Sequence, residues 1–371
     1  MRLISSLSLF VFCLYSILPS PAAAETLALW NGHSLEHLQP ELQKFREMSG
    51  HQVVQQHFRA DLFRDKVMSS VLLPELYFIP SDQLSNQQEY RLGTWPASIA
   101  QKHGLRKDGY INGQWYGLPI NMGNQLVLYY RKDKVKSVST FEAIPDGRLS
   151  WPVEQAFWFF TFLTANHGWP LGQGGFTLNT PAMVKALDDY KKALKRFPSA
   201  RCELMCNEQD FIRGDVDYLI DGDWAYQMLH DVLGDKLGVA VLPTLNGQPM
   251  KPLSSSYVLA IRGNISPAKR KIAEELANYL LSEETQARLY ERSKLFPAVP
   301  KVGDSMEARM SADMKVLHQQ LQASLAMPND RNMLIVWLVM GKVLKLYLDD
   351  EYTAQEAADV MQKMALEGQN Q

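Results

Sequence analysis

The sequence predicts an α/β protein, and three observations predict it. After residue 25 the chain alternates strand, helix, strand, helix, strand, which points to a parallel sheet with right-handed crossovers. Its 371 residues, 46% hydrophobic and 21% charged, suffice for two domains of ordinary size with real cores. A strand–turn–helix around Asp221-Gly222-Asp223 sets Trp224 just past the carboxyl end of a strand, where open α/β sheets bind ligands.

Residues 1–24 stand apart. Arg2 gives a positive start, Leu3 to Leu18 is apolar, and Ala22-Ala23-Ala24 precedes Glu25. That is the pattern of a secretory signal peptide cleaved after Ala24, and the apolar run is shorter than the ~20 residues of a spanning helix. Cys13 lacks a small-residue lipobox and is lost on cleavage. Cys202 and Cys206 remain, and both a small-loop disulfide in an oxidising compartment and a pair of thiols fit the spacing.

Thr26 to Trp30 reads as the first strand, followed by a helix to about Met48 with Leu35, Leu38, Leu42 and Phe45 at helical spacing. Val53-Val54 begins a second strand, Ala60 to Val71 is a helix, and Leu76 to Ile79 is a third strand ending at Pro80-Ser81-Asp82. Tyr110 to Pro119 is a tight hairpin with Asn112-Gly113 at its turn. A strand over Leu126 to Tyr130 follows. From Trp151 to Trp169 the chain is strongly aromatic. Most of these rings belong in a core helix, with Phe157 and Trp158 as the candidates to face a cleft.

Pro181 to Phe197 is an amphipathic helix with lysines outside. Another helix ends at Gly214. Val216, Tyr218 and Ile220 then alternate with Asp215, Asp217 and Leu219 as a short strand, and Asp223 offers itself as the N-cap of the next helix. Strands are expected over Val239 to Leu242 and Ser254 to Ile261. Helices follow from Pro267 to Leu281, from Ser282, from about Met333 to Leu348 with Trp337, and from Thr353, where Thr-Ala-Gln-Glu is a capping box.

Val239-Ala240-Val241-Leu242-Pro243-Thr244, with Gly247-Gln248-Pro249 and Lys251-Pro252, is a distinctive run. It follows an aromatic–x–x–Gly–acid pattern at Phe211 to Asp215 and the Gly222–Trp224 turn. Together these resemble the periplasmic solute-binding proteins of ABC importers, family 1, the maltose-binding-protein-like group. Pro74-Glu75 before the third strand and Asp82, and Tyr279-Leu280-Leu281-Ser282-Glu283-Glu284, fit the same pattern. So does Phe296-Pro297-Ala298-Val299.

The resemblance implies a two-lobed fold, each lobe a mostly parallel sheet flanked by helices, with three hinge crossings. The lobes would be residues 25–122 plus 256–302 and residues 126–252 plus 303–371. One crossing is expected near Asn121 to Gln125, with Gly123 absorbing backbone rotation. The function implied is capture of an uncharged sugar or oligosaccharide in the interlobe cleft and delivery to a membrane permease. It also implies a monomer in the periplasm, with no cofactor, no metal and no catalysis.

Two tryptophans, Trp224 and Trp337, match ligand-stacking positions of the family, and Asp82 matches an aspartate that takes sugar hydroxyls. Asn31 and His33 match polar positions of the site with one residue deleted. On the residues alone, Trp337 among Leu334, Ile335, Val336 and Leu338 also suits a core, and Asp82 also suits a turn cap. Ile79 stands where the family has a further Trp, Gln83 where it has an arginine, and Gly123-Asn124 where it has an acid. These departures imply a smaller or different sugar than maltose, and a receptor for a polyamine or small peptide is the alternative within the fold.

A different class is spelled by His33-Ser34-Leu35-Glu36-His37, the H-x-x-E-H order of a zinc peptidase. No third ligand is identifiable. A formal net charge of −2 gives no drive toward nucleic acid, and neither a G-x-S-x-G elbow nor a phosphate-binding glycine loop is present.

Overall fold

The computed structural model describes residues 24–32, 36–198, 206–329 and 331–369. Ten strands form the main runs of its two larger sheets: β1 (Thr26–Asn31), β2 (Gln52–His57), β3 (Leu76–Pro80), β4 (Gly117–Gly123), β5 (Leu126–Arg131), β6 (Leu149–Ser150), β7 (Tyr218–Gly222), β8 (Leu237–Ala240), β9 (Leu253–Arg262) and β10 (Phe296–Pro297), with the short strands Leu92–Gly93 and Leu325–Ala326 added along β9. The first sheet runs in the order β10-β4-β9-β3-β1-β2, and the second runs β8-β5-β7-β6.

The opening β1 to β3 are parallel, with helices Gln39–Ser49 and Ala60–Ser69 in their connections. The sheets as wholes are mixed rather than mostly parallel. β9 runs against both β3 and β4, β10 runs against β4, and β5 runs against β7 and β8. The reason for β5 and β9 is connectivity. A strand that arrives from the other sheet enters at the cleft edge, whereas β1, β3 and β7 leave toward it. The element between residues 216 and 222 also differs from the expected half-exposed alternation. β7 is buried at all five positions, because β5 and β6 flank it and core packs on its faces.

Several local signals act as the residues predict. Asn112 and Gly113 both take positive φ, 48° and 85°, which closes the hairpin between Tyr110–Ile111 and Gln114–Trp115. Gly214 (φ 82°) ends helix Cys206–Arg213. Ser266 and Ser282 cap helices Pro267–Leu280 and Glu283–Ser293 through Lys269 N and Thr285 N. Thr353 and Glu356 form the reciprocal capping box, with Glu356 N donating to Thr353 Oγ1 at 3.2 Å and Thr353 N to Glu356 Oε2 at 2.8 Å. Cys206 is in a disulfide; its partner lies outside the described residues.

One apolar cluster runs from Leu27, Leu29 and Phe78 of the first sheet through Leu317 and Leu321 to Val127, Tyr129 and Leu219 of the second. Helix Ala312–Ala323 supplies the connecting residues and packs on β8. A second cluster backs β5 and β7 with Trp151, Phe159, Phe160, Phe162 and Tyr190. Helix Ala156–Ala165 is apolar on every side, and this is where its inward rings go. Among the described residues no helix is long and apolar enough to cross a membrane.

The first sheet is held to its helices partly by a buried acid. Glu41 is fully buried and accepts hydrogen bonds from Arg288 at 2.8 and 3.0 Å and from Tyr279 at 2.7 Å, with Arg292 as a further partner. Burial alone would raise its pKa, but the bonds from Arg288, Tyr279 and Arg292 outweigh burial and hold it at about 2. A depressed carboxyl contributes stability that is present above its ordinary pKa of 4.5 and is lost as pH falls toward about 2. We predict that Glu41→Gln destabilises the protein by about 3 kcal/mol at pH 7, since it strands two guanidinium groups. The gap to wild type should narrow between pH 4.5 and pH 3, where the wild-type carboxyl begins to lose its advantage; urea unfolding at the two extremes measures it.

Candidate ligand-binding site

The site lies between the two sheets, at the ends of β3 and β7. Two chain passages meet there. β4 leads through Gly123-Asn124-Gln125 into β5, and β9 starts beside it, with Ser255 opposite Gly123 and Ser256 opposite Met122. Asn124 Nδ2 donates to Ser255 Oγ at 2.6 Å, tying the two passages together. Gln125 is fully buried; its Nε2 donates to Leu317 O at 2.8 Å and its Oε1 accepts from Ser324 at 3.1 Å.

A cavity of about 500 Å³ opens next to these passages, within the range of small-molecule sites. From the first-sheet side it is lined by Pro80, Asp82 and Gln83, which follow β3 directly. From the second-sheet side come Phe157 and Trp158 on helix Ala156–Ala165, Asp221 at the end of β7, and Trp224 just beyond. Trp337, on helix Arg331–Leu348, completes the wall.

Four rings form a chain around this space. Phe157 lies 6.3 Å from Trp337 and 6.1 Å from Trp224, and Trp224 lies 6.1 Å from Trp158 at a near-perpendicular 83°. Trp158 is fixed by its Nε1, which donates to Ile220 O at 2.8 Å. Trp337 is anchored on its far side by Phe160 of the core, 4.8 Å away, while its own Nε1 is buried without a partner. Trp224 remains 39% exposed, a large apolar surface facing the cleft. Its indole folds back over Gly222, where any Cβ would stand 2.2 Å from the ring atoms. Glycine at 222 is therefore what lets the indole lie across the end of the strand.

Sequence reasoning placed Asp82, Phe157, Trp158, Trp224 and Trp337 as site residues, and the structure brings these five around one cavity. Asn31 is not among the residues named around the cavity; it is fully buried at the end of β1, where its Oδ1 meets Nδ1 of His57, its register partner on β2, at 2.8 Å. His33 lies outside the described residues, as does the side chain of His37, so the H-x-x-E-H reading falls there too. Among the described residues no group of three or more His, Cys, Asp or Glu is placed to hold a metal.

The sequence reading missed Glu208 and Asp221, both of which line the cavity. Asp221 had a signal, since it continues the odd-numbered polar face of Asp215 and Asp217 to the strand's end. Glu208 had none, because the aim of its helix depends on how that helix packs. Asp223 was expected to cap a helix and does not. Residue 222 takes the cap position with no side-chain bond, and Asp223 opens a short 3₁₀ turn with its carboxyl tucked inward. An added Cβ on Gly123 would stand 2.3 Å from Asp223 Oδ2, so the carboxyl occupies the space that Gly123 leaves. Gly123 also sits at φ 149° and Asn124 at φ 51°, which makes this passage a place of unusual backbone.

The acids of the site are shifted by their surroundings. Burial pushes Asp82 up to about 6. Burial, with Glu208 beside it, pushes Asp221 well above the usual carboxylate range. Burial pushes Asp223 up to about 7 against the backbone amides of Gln125, Asn124 and Trp224, which pull the other way; neither oxygen makes a hydrogen bond of ordinary geometry.

Residues 74–316 match the family model described as bacterial extracellular solute-binding protein. The chain belongs to this family. Its members are extracytoplasmic binding proteins, as the description states. Over 155 residues, 41% of this chain and 36% of the relative, it is 26% identical to the galactooligosaccharide-binding protein of Bacillus subtilis (strain 168). The chain thus matches about a third of that relative's length. The fold is that of solved maltodextrin receptors. The maltose/maltodextrin-binding domain MalE from Bdellovibrio bacteriovorus, bound to maltotriose, aligns with TM-score 0.85 at 20% identity, over 93% of this chain and 100% of that one. MalX from Streptococcus pneumoniae, in complex with maltopentaose, aligns with TM-score 0.82 at 19% identity, over 92% and 100%.

A raised carboxyl favours folding only while it is protonated. Asp223 therefore contributes stability that is fully present below its ordinary pKa of 3.8 and is lost as pH rises to about 7. We predict that Asp223→Asn melts at least about 3 °C above wild type at pH 8 and within about 1 °C of it at pH 4. Thermal unfolding across that range measures the difference, and a constant offset would show that Asp223 does not titrate in the window.

Proposed function

We propose that this protein captures a sugar or short oligosaccharide between its two sheets, without altering it, and hands it to an ABC importer permease. The observation that carries this reading is the ring of Phe157, Trp158, Trp224 and Trp337 around a cavity that also holds carboxyl and amide groups. A pyranose has flat apolar faces and an edge of hydroxyls. Indole plates suit the faces, and Asp82, Gln83, Gln155 and Asn124 suit the edge. A second hollow of about 420 Å³ shares Gln155, Phe157 and Trp337 with the first and extends the groove, which favours more than one ring. The sugars in the names of its relatives, galactooligosaccharide and maltodextrin, support the same ligand class.

In this reading the lobes are residues 25–122 plus 256–302 and residues 126–252 plus 303–371, hinged at Asn121 to Gln125 and where β9 begins. Helix Pro300–Glu307 packs on helix Glu283–Ser293 of the first side, whereas Ala312–Ala323 packs on β8. The third passage then falls at residues 308–311, slightly later than the sequence implied. Closure is driven by a ligand that touches both walls, because only differential contact shifts such an equilibrium. Export through residues 1–24 would deliver the mature, monomeric protein to the periplasm, where the permease is reached.

Trp224→Ala should weaken binding of the best sugar by about 1–3 kcal/mol, the scale of one stacked aromatic plate, with the melting temperature of the unliganded protein little changed. Thermal-shift screening against a carbohydrate panel finds the ligand, and calorimetry compares the variant. Equal affinity in variant and wild type would remove Trp224 from the site.

A further inference from the structure

The charge of the inner cavity says more about the ligand than its rings do. Among the described residues the charged side chains that line it are Asp82, Glu208 and Asp221, and none of those described lining residues is Lys, Arg or His. They come from three separate elements: the turn after β3, helix Cys206–Arg213 and the end of β7. No ion pair reaches any of the three among the described residues. Asp82 Oδ1 and Glu208 Oε2 are buried without a hydrogen-bond partner, and Asp221, 3% exposed, accepts from Gly222 N at 2.7 Å and is paired carboxyl to carboxyl with Glu208. In the outer hollow Lys345 is a lining residue, and it already faces Glu154 at 3.7 Å.

Gathering three acids in one apolar cavity is unfavourable unless something cancels their charge. Hydroxyl groups of a neutral sugar donate hydrogen bonds but leave the charge in place. An ammonium group supplies three donors and a positive charge, and the surrounding indoles attract a cation through their ring faces. We propose that the ligand is a sugar with a free amino group, its ammonium seated at the inner end of the cleft beside the Glu208–Asp221 pair. The inference rests on the sugar-receptor reading above and narrows it. The stacked plates account for the pyranose, which a flexible polyamine does not need. The carboxyls account for the amine, and they repel uronic acids and sugar phosphates. Burial holds back ionisation of Asp82, and burial with Glu208 beside it holds back that of Asp221, so in the empty site protons cancel part of the charge and an arriving cation replaces them.

The test is calorimetry on the purified protein with matched sets: glucose, galactose and mannose, their 2-amino forms and their 2-acetamido forms, with cellobiose, chitobiose and diacetylchitobiose as dimers. Spermidine, choline and glucuronic acid serve as controls. The expected result is that the best amino sugar binds at least about 10-fold more tightly than its hydroxyl and acetamido counterparts, the scale of one desolvated cation–π or charge-assisted contact. Glu208→Gln and Asp221→Asn should shrink that gap to within about 3-fold, read as the ratio of amino to hydroxyl sugar affinity within each variant. Hydroxyl or acetamido sugars that bind as well as the amino forms would overturn the inference and leave the sugar receptor standing. Spermidine or choline binding above every sugar would overturn both, and so would a panel on which nothing binds. The wild-type comparison decides the matter even if a variant folds poorly.

Discussion

Two strands pass between the sheets side by side, and their pairing at Gly123 and Ser255 is the constraint on which the rest depends. The two hydrogen-bonded passages are joined again by Asn124 and Ser255. Each is kept narrow by what packs against it. Gly123 has no side chain, and the carboxyl of Asp223 fills the space a side chain would need. Asp223 N also donates to Gln125 O at 2.9 Å, so the turn that carries Trp224 is fastened to the passage itself. The position of the indole and the geometry of the passages are set by the same few residues.

From this point the cleft acquires its two unlike walls. On the first-sheet side the chain leaves β3 through Pro80 and exposes polar groups, because a strand end abandons its ladder there. On the other side a helix that is apolar all round divides its rings. Phe159, Phe160 and Phe162 enter the core, and Phe157 with Trp158 are left at the cleft. Trp337 bridges the two roles, resting on Phe160 while facing the cavity. The stacking surface is therefore an outgrowth of the hydrophobic core and inherits its rigidity, which favours a preorganised site over one formed on binding.

The same construction explains why acids survive in so apolar a place. Each belongs to an element fixed by other contacts: Asp221 to a strand buried on both faces, Glu208 to a helix capped by Gly214, and Asp82 to a turn after Pro80. Their burial is a by-product of elements that are stable for other reasons. The unfavourable charge is local, and relief of it is available to a ligand. Elsewhere the protein solves the same problem internally, as where Arg288 and Arg292 surround Glu41. No such partner stands beside the cleft acids among the described residues, which separates a structural carboxyl from one kept for binding.

The strands, helices and caps were legible in the sequence because their causes are local. Hydrophobic period, an Asn-Gly pair, a Ser before Pro and a Thr-Ala-Gln-Glu box each act within a few residues. Trp224 and Asp82 were legible as well, since the end of a strand is a position that local pattern marks. The sequence did not show that β5 and β9 would run against their neighbours, because direction follows from which edge the chain enters. It suggested Asn31 for the site but not that Asn31 would pair with His57 across β1 and β2. It was silent on Glu208, whose helix is aimed by long-range packing. Local chemistry thus determined the elements and the rings of the site, whereas the balance of charge between its walls was decided only when residues more than a hundred positions apart were brought to one cavity.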